Sequence, residues 1–526
     1  MAHSEEKVER PHSKGSDGTP MPTKLDGTKQ SFVDHLEGQD ASWRQQADRR
    51  LVRKIDARML PCLVIMYLLN FLDRSNLAQA RQGTLEKDLG MGGTDFNLAT
   101  SIFFVGYLLM QLPSNLLITR VRPSLYLSLA TMLWGTVSTC NAAARDFRSL
   151  VVVRFFLGFV EAPFFPGAVF LMSSWYTRAE MTRRMAWFYS GNALANMFGG
   201  LLGAAILGGL EGAHGIAGWR WLFIVEGVMT IGVAIIVGFI LPDYPHNTKW
   251  LTEEEKSFAA WRLLEDINEA DDQHAGSVWA GLKLAVKDYR LYVFVLLQHL
   301  NLVALTFQYF FPSIVGTLGY SPINTLWLTV PVWFAAFLVS ILVTWTSAKT
   351  QDRSLHIISL MVVGAVGNVI AAATTSLGAR FFAMFLMPMS ILSCCKLVKS
   401  TARSWRKCYT GQALTPKADQ IVVSWVANSF PRPLVKRSAV IAISNMIGNT
   451  ASIYGSYMYP SSHAPRYIPG GAANTAICLI VAGLALALRF IHQKENKKLE
   501  AAEAEIGNGE VTGDADRRAV GFRYIY

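Results

Sequence analysis

The sequence predicts an all-α integral membrane protein with twelve transmembrane helices, arranged as two six-helix halves. Two observations predict this class: the uneven distribution of charge and the length of the apolar runs. The chain has 526 residues, 51% of them hydrophobic and 17% charged, and its formal net charge is +11. Three segments, 1–57, 243–290 and 493–526, hold more than half of the charged side chains. The intervening sequence is apolar over stretches longer than a soluble core helix requires.

The apolar runs supply the predicted spans. A hydrocarbon core about 30 Å thick requires about 20 mostly apolar helical residues. Runs of this kind occupy 59–79, 97–119, 123–144, 149–174, 185–210, 219–242, 291–316, 325–347, 355–377, 438–459 and 472–492. An interrupted region, 379–430, counts once and completes the set of twelve.

These spans divide the chain into five regions: a disordered cytoplasmic tail at 1–57, a six-helix half at 58–242, a cytoplasmic linker at 243–290, a second half at 291–492 and a cytoplasmic tail at 493–526. Basic residues precede the first span and follow the last. Because basic residues are retained on the cytoplasmic side, both termini are predicted to be cytoplasmic.

The composition disfavours several functions. The three polar segments are together net acidic, so the basic surplus does not predict nucleic-acid binding. No phosphate-binding Gly-x4-Gly-Lys-Ser/Thr motif occurs, which disfavours an ATP-driven pump. No nucleophile–base set or metal-ligand cluster has workable spacing, so we expect neither enzymatic activity nor a cofactor or metal.

Ionisable residues inside the spans are candidates for function, because placing one in lipid costs at least ~2.5–3.5 kcal/mol. The first, fourth and sixth spans supply Asp73, Arg74, Arg154, Glu161 and Glu226. Counted at about 1.5 Å per residue, four of them share a layer near the outer face, and Glu161 lies near the midplane.

Arg154 and Glu161 are seven residues apart, which predicts nearly the same helical face. An arginine can clamp a substrate carboxylate, and a desolvated glutamate can carry a proton. The structural alternative is that Arg154 pairs with Glu226 or Asp73 to hold helices together. Asp73 and Arg74 equally suit a helix end at which they extend towards water.

Neutral polar residues in the spans are candidates for lining a wet cavity, although most such residues only bond neighbouring helices. They are Asn70, Tyr107, Gln111, Asn115, Asn192, Asn196, His299, Gln308, Asn445 and Asn449. His299 is predicted either as a proton relay or as a packed, hydrogen-bonded histidine. The Gly199–Gly203 pattern predicts close helix packing.

The same residues carry a family signature. The first span ends in Asn70-Phe71-Leu72-Asp73-Arg74-Ser75-Asn76, and the fourth contains Arg154-Phe155-Phe156-Leu157-Gly158-Phe159-Val160-Glu161. From about Lys54 to its C-terminus, the chain resembles fungal permeases of the major facilitator superfamily. The resemblance is to the anion:cation symporter branch, which includes allantoate, nicotinate and pantothenate permeases.

The resemblance implies a twelve-helix rocker fold and proton-coupled uptake of small carboxylates. It also implies that Arg154 and Glu161 face the central cavity, and it adds Asn76 to the candidate site residues. The fifth span lacks the glycine–proline motif of drug:proton antiporters after Gly191, which favours uptake over efflux.

The tenth span departs from the family pattern. Residues 379–389 and 420–430 are each about half a span, and 390–419 between them hold six cations and one acid. Half-spans cannot cross the bilayer, and six cations cannot be inserted into lipid. We therefore predict that 390–419 is an insertion in this helix, such as a translated intron.

The predicted function is secondary transport of a small organic anion with a proton, by alternating access. The partners are the substrate, the proton and the lipid bilayer, and the expected form is a monomer in the plasma membrane. Candidate substrates are carboxylate vitamins and nitrogen sources such as nicotinate, allantoate and pantothenate. Two alternatives remain open: a nutrient-sensing receptor on the same scaffold, and an exchanger or facilitator without proton coupling.

Overall fold

The computed structural model describes residues 41–118, 121–248, 250–268, 278–350, 352–399 and 434–507, most of which are helical. The first part of the chain forms α1 (Ala41–Ala80), α2 (Asp95–Ile118), α3 (Pro123–Cys140), α4 (Phe147–Glu161), α5 (Phe164–Ser173), α6 (Arg178–Gly209) and α7 (Gly218–Ile240). The linker forms α8 (Glu253–Asn268) and α9 (Val278–Val286). The last part forms α10 (Tyr289–Leu305), α11 (Phe311–Gly316), α12 (Pro322–Thr350), α13 (Ser354–Ala373), α14 (Leu377–Lys399), α15 (Leu434–Gly455) and α16 (Ile468–Gly507). A single helical turn at Leu85–Asp88 and short 3₁₀ turns occur in the connections.

The helices are those of a multi-pass membrane protein. Nine candidate spans within the described residues are long and apolar enough to cross a membrane. Three further helices, α2, α3 and α15, have 24, 18 and 22 residues and pack in the same bundle. At about 1.5 Å per residue, these three extend about 27 to 36 Å.

The first helix begins earlier than the sequence predicts. The prediction of a disordered tail up to residue 57 is wrong for 41–57, because α1 starts at Ala41. Leu51 and Ile55 are buried, and Trp43 packs edge-to-face on Phe258 of α8 with ring centroids 6.2 Å apart. The linker helix α8 provides an apolar surface on which residues 41–57 pack. The sequence of 41–57 alone does not show that this surface is present.

The last helix ends later than predicted. α16 continues past residue 492 to Gly507, so the predicted tail is helical over 493–507. This extension is rich in alanine, glutamate and lysine, which are strong helix formers. The rest of the tail lies outside the described residues.

The tenth span is also longer than predicted. α14 runs without interruption to Lys399, and Leu377–Cys394 alone satisfies the length and composition of a span. Ser390, Ile391 and Cys394 are buried in the bundle, and the Ser390 hydroxyl donates to the Leu386 carbonyl at 2.7 Å. The helix therefore continues past residue 390, where the sequence places the start of the insertion, through small polar residues that bond their own helix. Residues 400–433, which include the rest of the predicted insertion, lie outside the described residues.

The fourth predicted span is one candidate span, Phe147–Ser173, which contains two consecutive helices. α4 ends at Glu161 and α5 begins at Phe164. Pro163 lies between them, and proline has no N–H to donate to a helical ladder. The break leaves Glu161 as the last residue of a helix inside the bundle.

The helices pack as two groups, one before the linker and one after it. In the first group α3 packs on α7 and α2 on α4, and in the second α13 packs on α14 and α16. The groups meet where α6 packs on α12 and α2 packs on α15. The Gly199–Gly203 prediction is confirmed, because a Cβ on Gly200 would lie 2.4 Å from Thr329 Oγ1 of α12.

Contacts between the two groups close one end of the bundle. We call the end that carries the start of α1 and the linker the linker end, and the opposite end the distal end. At the distal end, Phe96 packs on Phe310 with ring centroids 5.6 Å apart, and Asn97 donates to the Ser456 carbonyl. At the linker end, the ion pairs between Asp56 and Arg184 and between Asp352 and Arg489 each stay within one group.

Two glycines allow α2 and α4 to approach closely. A Cβ on Gly106 would lie 2.2 Å from the Phe155 carbonyl oxygen, and one on Gly158 would lie 1.9 Å from the Phe103 carbonyl oxygen. Both distances are much shorter than a van der Waals contact. The atoms involved belong to the backbone, so they cannot move away unless their helix moves with them. These glycines therefore set the separation of the helices that carry Tyr107 and Glu161.

We expect Gly158→Ala to destabilise the protein by about 1–3 kcal/mol, because the methyl group forces two helices apart. Thermal unfolding of the detergent-solubilised protein measures this. Gly232→Ala on α7 is the matched control, since no atom lies within 4 Å of its Cβ position. An equal loss of stability in both variants would contradict the prediction.

Asp288 caps α10 and joins it to α15. Its carboxylate accepts from the Arg290 backbone N–H at 3.1 Å, from Arg290 Nη2 at 2.8 Å and from Lys436 Nζ at 2.7 Å. Burial raises the pKa of Asp288, but these hydrogen bonds outweigh it and lower the pKa from 3.8 to about 2. The ionised form is therefore favoured in the folded protein.

We expect Asp288→Asn to lower the thermal midpoint by about 2–4 °C near pH 7. A carboxylate whose native pKa is depressed stabilises the fold above its unfolded value and loses that contribution as pH falls through the native value. The difference between the wild type and the variant should be constant above about pH 5 and shrink between about pH 4 and about pH 2. Melting curves across this range test it, with Glu253→Gln on the exposed surface of α8 as control. A difference that does not change with pH would contradict this role.

Candidate functional site

A cavity lies between the two groups of helices. It encloses about 660 Å³ of space, part of which is open to solvent. From the first group it is lined by Tyr67, Phe71, Arg74, Phe104, Tyr189 and Asn192. From the second group it is lined by Leu302, Leu305, Thr306, Gln308, Tyr309, Leu392, Asn449 and Ser452. Among these described residues, Arg74 carries the one formal charge.

Arg74 is held in place by a buried acid. Its Nε donates to Glu161 Oε1 in an ion pair, in which 12% of the Arg74 side chain is exposed and none of the Glu161 side chain is. Glu161 Oε2 has no hydrogen-bond partner among the described residues. Arg74 therefore stands at the cavity wall, with Glu161 behind it.

Aromatic rings surround the Arg74 guanidinium. Its central carbon lies 4.9 Å from the ring centroid of Tyr107 and 5.2 Å from those of Phe71 and Phe103. Rings at this distance attract a cation through their quadrupole and leave few positions for water. Tyr107, a predicted site residue, thus contributes to the site by contacting Arg74, without lining the cavity.

Arg154 occupies a different position from the one predicted. It is buried and lines a second, smaller cavity that Arg74 also lines. Neither Arg154 nor Glu161 is among the residues that line the central cavity. Arg74 occupies the place that the sequence predicted for Arg154, next to Glu161 and facing the cavity.

Asp73 bonds three neighbouring side chains. Its carboxylate accepts from Trp134 Nε1 at 3.1 Å, Ser138 Oγ at 2.7 Å and Thr230 Oγ1 at 3.0 Å. These donors come from α3 and α7, and Asp73 is fully buried. Asp73 therefore neither extends towards water at a helix end nor forms an ion pair with Arg154, the two alternatives that the sequence left open. It joins α1, α3 and α7 through hydrogen bonds.

Arg154 instead bonds Asn76. Its Nη2 donates to Asn76 Oδ1 at 3.1 Å, and its guanidinium lies 5.4 Å from the Phe223 ring centroid. Asp73, Glu161 and Glu226 lie within electrostatic reach of Arg154, but it forms no ion pair with these described acids. Both carboxyl oxygens of Glu226 are buried without a hydrogen-bond partner among the described residues.

The remaining predicted residues divide into two sets. Asn192, Gln308 and Asn449 line the central cavity, as the sequence predicted. The predicted residues that do not line this cavity are Asn70, Gln111, Asn196, His299 and Asn445. The His299 ring joins α10 to α15 through the Ile447 carbonyl, at 2.9 Å, and the Tyr454 hydroxyl. Asn115 lies on α2, and its side chain is not among those described.

Sequence reasoning missed the aromatic and hydroxyl lining of the cavity. Tyr67, Phe71, Tyr189 and Tyr309 lie in apolar runs where an aromatic residue usually packs in the core. Leu392 lies in the segment that the sequence predicted as an insertion. No single-sequence signal distinguishes these residues from their packed neighbours. No group of three or more metal-binding side chains occurs in the described part of the chain.

Comparison with known proteins gives a consistent set of similarities. The family model of the Major Facilitator Superfamily matches residues 63–401. The chain is 33% identical to the MFS-type transporter cnsO of Penicillium expansum over 474 residues, 87% of this chain and 86% of that protein. It is 31% identical to a putative tartrate transporter of Agrobacterium vitis over 366 residues, 69% of this chain and 79% of that protein.

A solved structure has a similar fold. It is a bacterial homolog of the human lysosomal transporter Spinster in an inward-facing and occupied conformation. The TM-score is 0.57 at 15% identity, and the match covers 81% of this chain and 95% of that one.

We expect Asp73→Asn to destabilise the protein by about 1–3 kcal/mol, because an amide N–H₂ turned towards donors leaves a buried hydrogen bond unmade. Thermal unfolding in detergent measures the loss. Thr131→Val on α3 is the control, since the Thr131 hydroxyl donates only within its own helix, to the Leu127 carbonyl at 2.8 Å. If Asp73→Asn is no less stable than that control, the three bonds do not join the helices.

Proposed function

The chain belongs to the major facilitator superfamily, and we propose that it transports a small organic anion together with a proton by alternating access. It is a membrane transporter rather than an enzyme, as its family and its named relatives are. The observation that carries the finer proposal is the ion pair between Arg74, at the cavity wall, and the buried Glu161.

The charge of the cavity favours an anionic substrate. Arg74 is the charged residue among the described lining residues, and arginine binds carboxylates through two parallel hydrogen bonds. Asn192, Gln308 and Asn449 add neutral amides, and Gln308 Oε1 has no partner among the described residues. A small acid with further hydrogen-bonding groups fits this lining.

Proton coupling follows from competition for Arg74. A substrate carboxylate that binds Arg74 from the cavity competes with Glu161 for the same guanidinium. A buried carboxylate that loses its cation is costly, so Glu161 binds a proton when the substrate displaces it. When the substrate leaves, Arg74 is again available to Glu161, and the proton is released.

Alternating access follows from the contacts at the distal end. Phe96 with Phe310 and Asn97 with the Ser456 carbonyl join the two groups there. Because these contacts lie at the distal end, we infer that the cavity opens towards the linker end. Opening to the other side requires these contacts to separate while new ones form at the linker end.

The membrane topology that we propose has twelve spans in two halves, 58–242 and 291–492. α4 with α5 and α10 with α11 each make one span, and ten further helices make the others. The linker end is cytoplasmic, which agrees with Lys396 and Lys399 at the end of α14. The protein works as a monomer in the plasma membrane, with both termini cytoplasmic.

Two substrate classes suit the lining. The relative named a putative tartrate transporter points to hydroxy acids, for which the amides supply hydrogen bonds. The aromatic rings of Tyr67, Phe71 and Tyr189 suit a planar heteroaromatic acid such as nicotinate. The proposed branch of the family, with allantoate, nicotinate and pantothenate permeases, includes both flexible and planar acids.

Uptake of labelled tartrate, nicotinate, allantoate and pantothenate by permease-deficient yeast tests the function. We expect accumulation of one acid that increases as external pH falls and stops when a protonophore is added. Arg74→Gln should reduce this uptake more than about tenfold, because it removes the partner of the carboxylate. Glu161→Gln should abolish accumulation against a gradient but retain exchange, because the proton site is lost and the anion site is not.

Lys256→Gln on α8 is the control for loss of a positive charge, since Lys256 pairs with Glu253 at the surface. It should leave uptake unchanged. Uptake that ignores pH and protonophore would indicate a facilitator or exchanger instead. Binding without accumulation would indicate a receptor.

A further inference from the structure

We propose that Glu226 is a second proton-binding site, separate from Glu161, and that it holds a proton in the conformation described. Glu226 lies on α7 and is not among the residues that line the two cavities, and the exchange at Arg74 does not use it. The site goes beyond the proposed function, because it exists whatever acid the protein carries.

The first argument is the absence of hydrogen bonds to the ionised form. The Glu226 side chain is fully buried, and neither carboxyl oxygen has a hydrogen-bond partner among the described residues. An isolated carboxylate removed from water is among the most costly groups in a protein, and it is neutralised by taking up a proton. A neutral carboxylic acid carries no such cost.

The second argument is a comparison with the other two buried acids of the spans, Asp73 and Glu161. Asp73 accepts three side-chain hydrogen bonds, and Glu161 forms an ion pair with Arg74. Both therefore have partners that stabilise a negative charge. Of the three, Glu226 forms neither an ion pair nor a geometrically good hydrogen bond with a described residue, and the groups that face it include the neutral amide of Asn76, so it is the acid that takes the proton.

The third argument is charge balance. The buried cluster contains three carboxyl groups, Asp73, Glu161 and Glu226, and two guanidinium groups, Arg74 and Arg154. Full ionisation leaves one uncompensated negative charge in a medium of low dielectric constant. One bound proton makes the cluster neutral, which is the state of lower free energy inside a membrane protein.

The groups that face Glu226 are few. α1 presents Asp73 and Asn76, and α4 presents Arg154. α3 presents neutral groups, among them Thr139, whose hydroxyl lies next to Gly227 of α7. α6 places no ionisable side chain that acts on Glu226 within the described part of the chain.

Arg154 gives this proton a function. It is the cation of the cluster without an ion pair among the described residues, and Asn76 Oδ1 is its described hydrogen-bond partner. When Glu226 releases its proton, the carboxylate and Arg154 attract each other across α4 and α7. Loss of the proton therefore favours an arrangement in which these two helices move together, and binding of the proton releases them.

Infrared difference spectroscopy of the purified protein tests the site without any substrate. The carbonyl stretch of a protonated carboxylic acid is separate from that of a carboxylate, and surface acids are ionised at about pH 7. We expect a protonated-acid band at about pH 7 that disappears at high pH. The band should be lost in Glu226→Gln and retained in the double variant Arg74→Gln with Glu161→Gln, the matched control, which removes the neighbouring ion pair and leaves the charge balance of the cluster unchanged.

Isotope labelling covers the case in which Glu226→Gln does not fold. Carbon-13 glutamate should shift the band of the wild-type protein, whereas carbon-13 aspartate should not. A band that is absent from the wild type at about pH 7, that shifts with labelled aspartate, or that persists in folded Glu226→Gln would overturn the proposal. A failed uptake assay with retention of the band would reject the proposed function and leave this site in place.

Discussion

The ion pair between Arg74 and Glu161 is the interaction on which the rest of the site depends. Burying a guanidinium and a carboxylate costs several kcal/mol per ion unless both are paired. The surrounding structure meets that condition. The break before α5 ends α4 at Glu161, the contacts at Gly106 and Gly158 bring α2 and α4 together, and three aromatic rings surround the guanidinium. Each of these features keeps a buried charge next to its partner and next to the cavity.

The two groups of helices contribute differently to the site. The five ionisable residues of the cluster all belong to the first group, on α1, α4 and α7. The second group provides amide, hydroxyl, aromatic and aliphatic side chains such as Gln308, Asn449 and Ser452. Under the proposed function, proton coupling therefore involves the first group, and the substrate contacts both groups. A cavity shared in this way changes its shape whenever the groups move relative to each other.

Much of this architecture was predictable from the sequence, and the errors have physical causes. The helices and the membrane class follow from apolar runs, which report burial in lipid directly. The start of α1 at Ala41 was not predicted, because its burial depends on contact with α8. The extent of α14 was not predicted, because the six cations of 390–419 argued against a membrane span, whereas Ser390 bonds its own helix and Cys394 is buried in the bundle. The sequence also identified the five ionisable residues of the site, because a charged residue within an apolar run is rare.

The sequence by itself determined that the chain is a helical membrane protein and which ionisable residues lie within its spans. Composition and spacing along one helix are local properties, and they suffice for both conclusions. The tertiary structure alone decided the partners: Arg74 rather than Arg154 next to Glu161, three hydrogen bonds to Asp73, and no geometrically good hydrogen bond to Glu226 from a described residue. Pairing depends on distances between different helices. A single sequence contains no measure of those distances, because they are set by where helices break and how closely they pack.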